Sequence, residues 1–298
     1  MSITYHAEQP RDVATMRAIR AELARNPPPA FGPETRPIFD ALIGQTPTAE
    51  VSYEEADVGG VRGWWCRPQR AAARTALLYL HGGAYVAGSA SAFRHFVGQI
   101  AVRAQTAAFV ADYRLAPEQP FPAAVTDAQA AYRGLVAAGF ERIAVVGDSA
   151  GGGLTLALLA LTREQTGTRP AAAVTFSPWI DLTLSGDSMT TRAAADPLLH
   201  RKELDDAARL YLGDHDRRDP LASPLFGDLA GLPPLLVHVG EDEVLLDDSR
   251  RLEARYDSAE LHIWRGMAHV FPASVAVLGA AREALDQVGS FLRTHLAR

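Results

Sequence analysis

Cysteine, long apolar runs and an excess of positive charge are all missing from this sequence. Its single cysteine, Cys66, excludes an intrachain disulfide and any metal cluster built from cysteines. Because Cys66 lies in V-R-G-W-W-C-R, a stretch typical of a strand, we expect it to pack in the core. No apolar run approaches the roughly 20 residues that span a bilayer, and the N-terminus lacks the apolar stretch of a secretory signal. We therefore expect a cytoplasmic protein without membrane insertion.

Charge and motif content narrow the function classes further. The 29 Lys and Arg residues are outnumbered by 35 Asp and Glu, and the net charge of -6 gives no reason to expect a nucleic-acid partner. The sequence has no H-E-x-x-H, no paired C-x-x-C and no G-x-x-x-x-G-K-[ST], the patterns typical of zinc sites and phosphate-binding loops. We expect no metal and no organic cofactor.

Strand and helix patterns alternate along most of the chain. Eight segments have the composition of strands: 51–58, 61–66, 75–80, 106–111, 143–146, 171–176, 235–239 and 260–264. Seven have helical spacing: 11–25, 36–43, 91–104, 125–136, 154–162, 201–212 and 280–296. This alternation predicts one α/β domain over residues 1–298, with a mostly parallel eight-stranded sheet and helices on both faces. Ligands of such sheets bind beyond the carboxyl ends of the strands.

Ser149 stands in the most informative motif, I-A-V-V-G-D-S-A-G-G-G-L-T at 143–155. A short apolar strand ends in Gly147, and small residues after Ser149 open an apolar helical pattern. In a G-x-S-x-G turn between a strand and a helix, the backbone bends so sharply that the serine hydroxyl projects above the sheet. We predict that Ser149 is a nucleophile; a glycine-rich turn that serves packing alone is the alternative.

A second glycine-rich loop, H-G-G-A-Y at 81–85, follows the strand predicted at 75–80. When a serine attacks a carbonyl, backbone N–H groups can stabilise the oxyanion that forms. By itself the loop is equally compatible with an ordinary turn between a strand and a helix. In combination with G-D-S-A-G, it predicts an oxyanion hole made by the N–H groups of Gly83, Ala84 and Ala150.

A serine nucleophile needs a base within hydrogen-bond reach, and the chain has nine histidines. His269 follows the last predicted strand and satisfies the order nucleophile, acid, histidine that is expected for this kind of sheet. We predict that His269 is the base. The acid is expected after the strand at 235–239, where G-E-D-E-V-L-L-D-D-S carries five carboxylates between which the residues alone do not choose.

Four motifs jointly resemble the hormone-sensitive-lipase-like esterases, a branch of the α/β-hydrolase superfamily: H-G-G-A-Y, D-Y-R-L-A-P-E, G-D-S-A-G-G and S-P-W-I-D-L. The resemblance runs from about residue 51 to the C-terminus. It implies a serine carboxylesterase with the α/β-hydrolase fold, a preference for short-chain acyl esters, and a helical cap, which we expect from about residues 1–45 and 185–230. A homodimer through the last strand and helix is a further implication.

The resemblance also implies the triad acid. Relatives carry Asp-Pro-Leu followed by two acidic residues, and in an alignment with residues 243–248 the catalytic aspartate falls on Glu243. Asp242 is the neighbouring alternative, whereas Asp247 and Asp248 are interpreted as the cap of the following helix. In D-Y-R-L-A-P-E, Arg114 and Glu118 are interpreted as an internal ion pair in a segment that braces the oxyanion loop.

Other functions share this machinery. An amidase, a lactonase or an aryl formamidase of the same fold would carry the same residues, because the cap determines the substrate. A non-catalytic small-molecule receptor is a second alternative, since the plant gibberellin receptors resemble this family but lack the histidine. A peptidase is disfavoured because 298 residues leave no room for a gating propeller.

Overall fold

The computed structural model describes residues 2–163 and 168–297. Within these residues, nine strands form one sheet in the order β1-β9-β8-β7-β6-β4-β5-β3-β2. The strands are β1 (Ser2–His6), β2 (Val51–Val58), β3 (Val61–Pro68), β4 (Thr75–Leu80), β5 (Ala107–Ala111), β6 (Arg142–Asp148), β7 (Ala172–Phe176), β8 (Leu235–Gly240) and β9 (Ala259–Trp264). Only β3 runs antiparallel to its neighbours β2 and β5, and every other pairing is parallel. The predicted α/β-hydrolase fold with a mostly parallel sheet is confirmed.

The predicted number of strands was one too small, because β1 was not expected. Its five residues are exposed or half-buried and include Ile3 and Tyr5 at 43% and 51% exposure, so the segment has no buried apolar run. It becomes a strand because β9 offers a free edge, on which Ser2 to His6 pair in parallel register with Glu260 to Trp264. The dimer through the last strand stays a prediction, and its edge contact would involve β1, since β1 covers β9.

Helices pack on both faces of the sheet. The α-helices of the described residues are α1 (Pro10–Arg25), α2 (Arg36–Ile43), α3 (Ala90–Ala104), α4 (Ala123–Ala137), α5 (Ala150–Arg163), α6 (Ser188–Thr191), α7 (Arg201–Leu212), α8 (Leu246–Glu253) and α9 (Gly279–Leu296). One apolar core holds side chains of α3 and α9, and the other holds side chains of α4, α5 and α7. The strand β4 contributes alternate residues to the two cores, Leu78 and Leu80 to one and Leu77 to the other. All six residues of β4 are therefore buried, as its continuous apolar run indicates.

Two segments lie outside this alternation. The first contains α1 and α2 and precedes β2; the second contains α6 and α7 and connects β7 to β8. Both begin or end close to the carboxyl edge of the sheet, where the candidate site is found. In the described part of the chain, no helix combines the length and the apolar character that a bilayer crossing requires.

Candidate active site

Ser149 lies in the sharp turn between β6 and α5, with a left-handed backbone φ of 52°. The turn depends on its glycines. A Cβ on Gly147 would stand 2.3 Å from the carbonyl oxygen of Gly151, and a Cβ on Gly151 would stand 2.0 Å from that of Leu80. Because both distances are far below van der Waals contact, no larger residue fits at either position. The tight packing holds the Ser149 hydroxyl at the carboxyl edge of the sheet.

A chain of hydrogen bonds joins Ser149, His269 and Glu243. His269 Nε2 is 2.9 Å from Ser149 Oγ, and its Nδ1 is 3.1 Å from Glu243 Oε1. These residues are 120 and 26 positions apart in sequence, and only the fold brings them together. Burial would lower the pKa of His269, but the charge and hydrogen bond of the Glu243 carboxylate, together with the charges of Asp196 and Asp148, raise it above its ordinary value. The site thus holds a hydroxyl, an imidazole and a carboxylate in the geometry that activates a nucleophile.

The Glu243 carboxylate is fully buried and held by two further donors. Its Oε2 accepts hydrogen bonds from Ser177 Oγ at 2.7 Å and from the backbone N–H of Gly240 at 3.0 Å. Ser177 Oγ also accepts a hydrogen bond from the backbone N–H of Val270 at 3.0 Å. The hydroxyl of Ser177 therefore links the carboxylate to the residue that follows His269. Sequence reasoning missed Ser177, although its position directly after β7 is a signal that could have found it.

The neighbouring carboxylates have other partners. Asp242 forms an ion pair of 2.8 Å with Arg20, and among the hydrogen bonds of the described residues the Nδ1 of His269 is bonded to Glu243 and not to Asp242. Asp247 and Asp248 lie in the first turn of α8, but Leu245 occupies the N-cap position, so the interpretation of the two aspartates as a cap was wrong. Asp248 instead accepts hydrogen bonds from backbone N–H groups that follow β7, and Asp247 from one at the start of α6.

The loop after β4 has a strained backbone. Gly83, Ala84 and Tyr85 have φ values of 111°, 55° and 64°, in the left-handed region that non-glycine residues rarely adopt. Among the hydrogen bonds of the described residues, the N–H groups of Gly83 and Ala84 have no protein acceptor. Ala150 is the first residue of α5, where an N–H has no acceptor within the helix.

Asp148 fixes this loop to the turn that carries Ser149. Its Oδ1 accepts hydrogen bonds from the backbone N–H of Gly82 at 2.9 Å and from the Tyr79 hydroxyl at 2.6 Å. Complete burial raises the pKa of Asp148 to about 6, while its hydrogen bonds act in the opposite direction. The loop is held on its other side by the Tyr113 hydroxyl, which donates to the carbonyl of His81 at 2.6 Å.

The predicted ion pair between Arg114 and Glu118 was wrong. Arg114 pairs with Asp127 at 2.7 Å, and Glu118 pairs with Arg36 at 2.7 Å. Arg36 lies at the start of α2 and also donates to the carbonyl oxygens of Val86 at 2.7 Å and Ala116 at 2.8 Å. The partner of Glu118 therefore comes from the N-terminal segment, 82 residues away in sequence, and no local pattern indicates it.

A cavity of about 440 Å³ opens above Ser149 and His269. Gly83 and Ala84 also line it, so four of the predicted site residues lie in one wall. Both segments outside the alternation contribute to the lining, which is mostly apolar: Phe31, Phe39, Leu42 and Ile43 from the first and Leu198, Leu199 and Leu204 from the second. This arrangement can perform acyl transfer to a serine in a cavity with mostly apolar walls.

Comparison with known proteins gives the class to which this fold and site belong. A family model described as the α/β-hydrolase fold matches residues 77–273. The chain is 46% identical over 243 residues to an acetyl-hydrolase of Streptomyces hygroscopicus, a match that covers 80% of this chain and 81% of that protein. It is 35% identical over 266 residues to an esterase of Acinetobacter venetianus, with coverage of 86% and 87%. The chain therefore belongs to the α/β-hydrolase family.

Solved structures define the branch within this family. The fold superimposes on an esterase from the bacterial hormone-sensitive lipase family with a TM-score of 0.89 and 40% identity, over 98% of this chain and all of that one. A hormone-sensitive lipase from a metagenome library gives a TM-score of 0.89 and 37% identity, over 97% of this chain and all of that one. The resemblance to the hormone-sensitive-lipase-like esterases is confirmed, and the protein is an enzyme, an esterase of this branch.

Proposed function

We propose that the protein hydrolyses short-chain carboxylic esters, with Ser149 as nucleophile, His269 as general base and acid, and Glu243 as the acid of the triad. The observation that carries the proposal is the uninterrupted hydrogen-bond chain from Ser149 Oγ through His269 to the buried Glu243 carboxylate. The alternative acid, Asp242, is held by Arg20 and lacks the contact with the imidazole that the role requires.

Acylation begins when Ser149 Oγ attacks the ester carbonyl carbon and its proton passes to His269 Nε2. The carbonyl oxygen takes up the negative charge, and the N–H groups of Gly83, Ala84 and Ala150 stabilise it. The tetrahedral intermediate then expels the alkoxide as the bond between carbon and alcohol oxygen breaks. His269 returns the proton to this oxygen, so that an alcohol leaves and the acyl group stays on Ser149.

Deacylation repeats these steps with water. A water molecule loses a proton to His269 Nε2 and attacks the acyl carbon, the bond from that carbon to Ser149 Oγ breaks, and the serine regains a proton from the imidazolium. Throughout, the Glu243 carboxylate accepts the hydrogen bond from Nδ1, fixes the tautomer of the ring and stabilises its charged form. The reaction requires only residues of this chain and water.

The cavity supports a small substrate. Its volume of about 440 Å³ is at the lower end of ligand pockets, and its walls are mostly apolar. The Streptomyces relative is named an acetyl-hydrolase, which agrees with a short acyl group. We propose esters from acetate to hexanoate as substrates, with residues of about 1–45 and 185–230 acting as the cap that limits their length.

Hydrolysis of p-nitrophenyl esters from acetate to palmitate tests the proposal. We expect kcat/KM to be highest between acetate and hexanoate, and Ser149→Ala to lose turnover while its circular dichroism spectrum stays that of the wild type. Activity that rises toward long-chain lipid emulsions would contradict the substrate class. Wild-type protein that binds these esters without turnover would favour the receptor, and faster cleavage of matched amides or lactones would favour those activities.

A further inference from the structure

Negative charge dominates the wall of the Ser149 cavity. Two carboxylates line it, Asp148 and Glu203, whereas no Lys or Arg of the described residues does. The Asp148 carboxylate is already bonded to Tyr79 and Gly82, and His269 is bonded to Ser149 and Glu243. Glu203 is therefore the one charged group of this cavity that is not committed to the reaction machinery.

Glu203 forms no ion pair in the described chain, although its charge acts on the neighbouring Lys202. It lies in the first turn of α7, half-buried, and forms none of the ion pairs or side-chain hydrogen bonds found among residues 2–163 and 168–297. The nearby cations are engaged elsewhere, since Lys202 pairs with Asp206 at 2.6 Å and Arg201 donates to the Leu184 carbonyl at 2.9 Å. An unpaired carboxylate beside an apolar pocket is available to a ligand.

A second cavity of about 470 Å³ adjoins the first, and the two share Glu203, Pro28 and Leu198 as lining residues. Other charged groups of the second cavity are occupied: Arg20 pairs with Asp242 at 2.8 Å, and Asp196 accepts hydrogen bonds from three backbone N–H groups. Glu203 therefore lies where the two cavities adjoin.

We propose that Glu203 makes esters with a positively charged group a preferred substrate class of this enzyme and excludes esters with a free carboxylate. A cleft with charge of one sign and apolar walls concentrates the field and attracts groups of opposite charge. An anionic ester in the same place would lie beside a carboxylate of like sign and be repelled by it. The proposal rests on the proposed ester hydrolysis at Ser149 and specifies the substrate.

The test compares two esters that differ in charge but not in shape, butyrylcholine and 3,3-dimethylbutyl butyrate. The measured quantity is the ratio of their kcat/KM values, in wild type and in Glu203→Gln, at pH 8. We expect the ratio to fall about tenfold in Glu203→Gln, and further in Glu203→Lys, because a charge contact at a half-buried site is lost and then reversed. The comparison between variants removes any difference in intrinsic reactivity of the two esters.

Glu260→Gln is the matched control. It makes the same change in net charge at an exposed position of β9, on the strand's amino-terminal half, and should leave the ratio unchanged. A ratio that is the same in wild type and Glu203→Gln within twofold overturns the proposal. If the ratio is unchanged but p-nitrophenyl butyrate is still hydrolysed, only the charge preference is overturned. If the wild-type protein cleaves none of these esters, the proposed function is overturned.

Inhibition of the wild type gives a second measurement that needs no variant. Choline and 3,3-dimethylbutan-1-ol are compared as inhibitors of p-nitrophenyl butyrate hydrolysis. We expect choline to inhibit at a concentration about tenfold lower, because only choline carries the charge that Glu203 attracts. Equal or stronger inhibition by the neutral alcohol contradicts the proposal even if the Glu203 variants do not fold.

Discussion

Single side chains determine the orientation of the Glu243 carboxylate toward His269. One carboxylate oxygen faces the imidazole, and the other is held by Ser177 and the N–H of Gly240. Because Ser177 also accepts from the N–H of Val270, one hydroxyl orients both the proposed acid and the loop that carries the proposed base. We regard Ser177 as a positioning residue for the triad.

Ser177→Ala is predicted to lower kcat/KM for p-nitrophenyl butyrate roughly tenfold or more, since a hydrogen bond to a buried charged group contributes about 1.5–3 kcal/mol. The carboxylate would then direct more of its charge to His269 and raise the pKa of the imidazole, so the acid limb of the pH profile should move to higher pH. Ser258→Ala, which removes an exposed hydroxyl before β9, is the control. An unchanged limb together with reduced stability would indicate a purely structural role.

The pH dependence of the reaction follows from the charge of Glu243. In the proposed mechanism His269 must be neutral to accept the serine proton, and its raised pKa places the loss of activity on acidification at a higher pH than an ordinary histidine would. Glu243→Gln should move this limb to lower pH and reduce the rate, because the carboxylate that stabilises the imidazolium is gone. Profiles of kcat/KM from pH 5 to 9 measure both effects. Asp242→Asn should leave the limb in place, and a flat wild-type profile would exclude His269 as base.

At the scale of elements, Arg36 connects α2 to the loop of Gly83 and Ala84. Arg36 contacts Glu118 and the carbonyl oxygens of Val86 and Ala116. Val86 and Ala87 in turn donate their N–H groups to the carbonyl of Gly83. A helix of the N-terminal segment thus supports the loop whose N–H groups are predicted to stabilise the oxyanion.

Arg36→Ala is predicted to lower the free energy of unfolding by roughly 1–3 kcal/mol, because two carbonyl groups and a carboxylate lose their donor. We also expect a lower kcat, because the loop of Gly83 is less firmly held. Urea unfolding and steady-state kinetics measure the two effects. Arg25→Ala, which breaks an exposed pair with Glu22, should change neither. A stable, fully active Arg36→Ala protein would contradict the role given to α2.

Elements with strong periodicity were predicted from the sequence to within a few residues. The helix at 201–212 matches α7 because its apolar residues follow the helical period, and the strand at 75–80 matches β4 because a short continuous apolar run is typical of a strand buried on both faces. The start of α5 was placed four residues too late, since its three glycines have low helix propensity and form helix only through packing against β4, β6 and β7. Ser177 and Arg36 were missed because their partners are remote in sequence.

At the scale of the whole molecule, a cluster of histidines lies where the N-terminal strand β1 pairs with the edge of the sheet. His6 of β1 lies 2.9 Å from His262 of β9 between their ring nitrogens, and its ring stacks on Trp264 at 3.7 Å. Burial lowers the pKa of His6, His238 and His262, the last to about 4. The folded protein therefore holds these rings neutral.

We predict that acid lowers the free energy of unfolding through this histidine cluster. In the unfolded chain His262 takes up a proton near pH 6.5, whereas in the folded chain it does so only near pH 4, so its contribution to stability is lost as pH falls from 6.5 to 4. The free energy of unfolding of wild type should fall over this range more steeply than that of His262→Asn. Urea unfolding at several pH values measures the slopes. His95→Asn, at a helix position outside the cluster, is the control, and parallel slopes for His262→Asn would contradict the prediction.

Asp148 and Ser149 are adjacent, and this adjacency fixes the spacing between the glycine loop and the Ser149 hydroxyl. The first residue anchors the glycine loop at Gly82, and the second carries the hydroxyl of the proposed nucleophile. The hydrogen bond between Asp148 and Gly82 ties the proposed oxyanion loop to the turn of the proposed nucleophile, so their spacing is set within the base of the site. The proposed cap segments could thus differ in sequence over this base without changing the distances on which the proposed reaction depends.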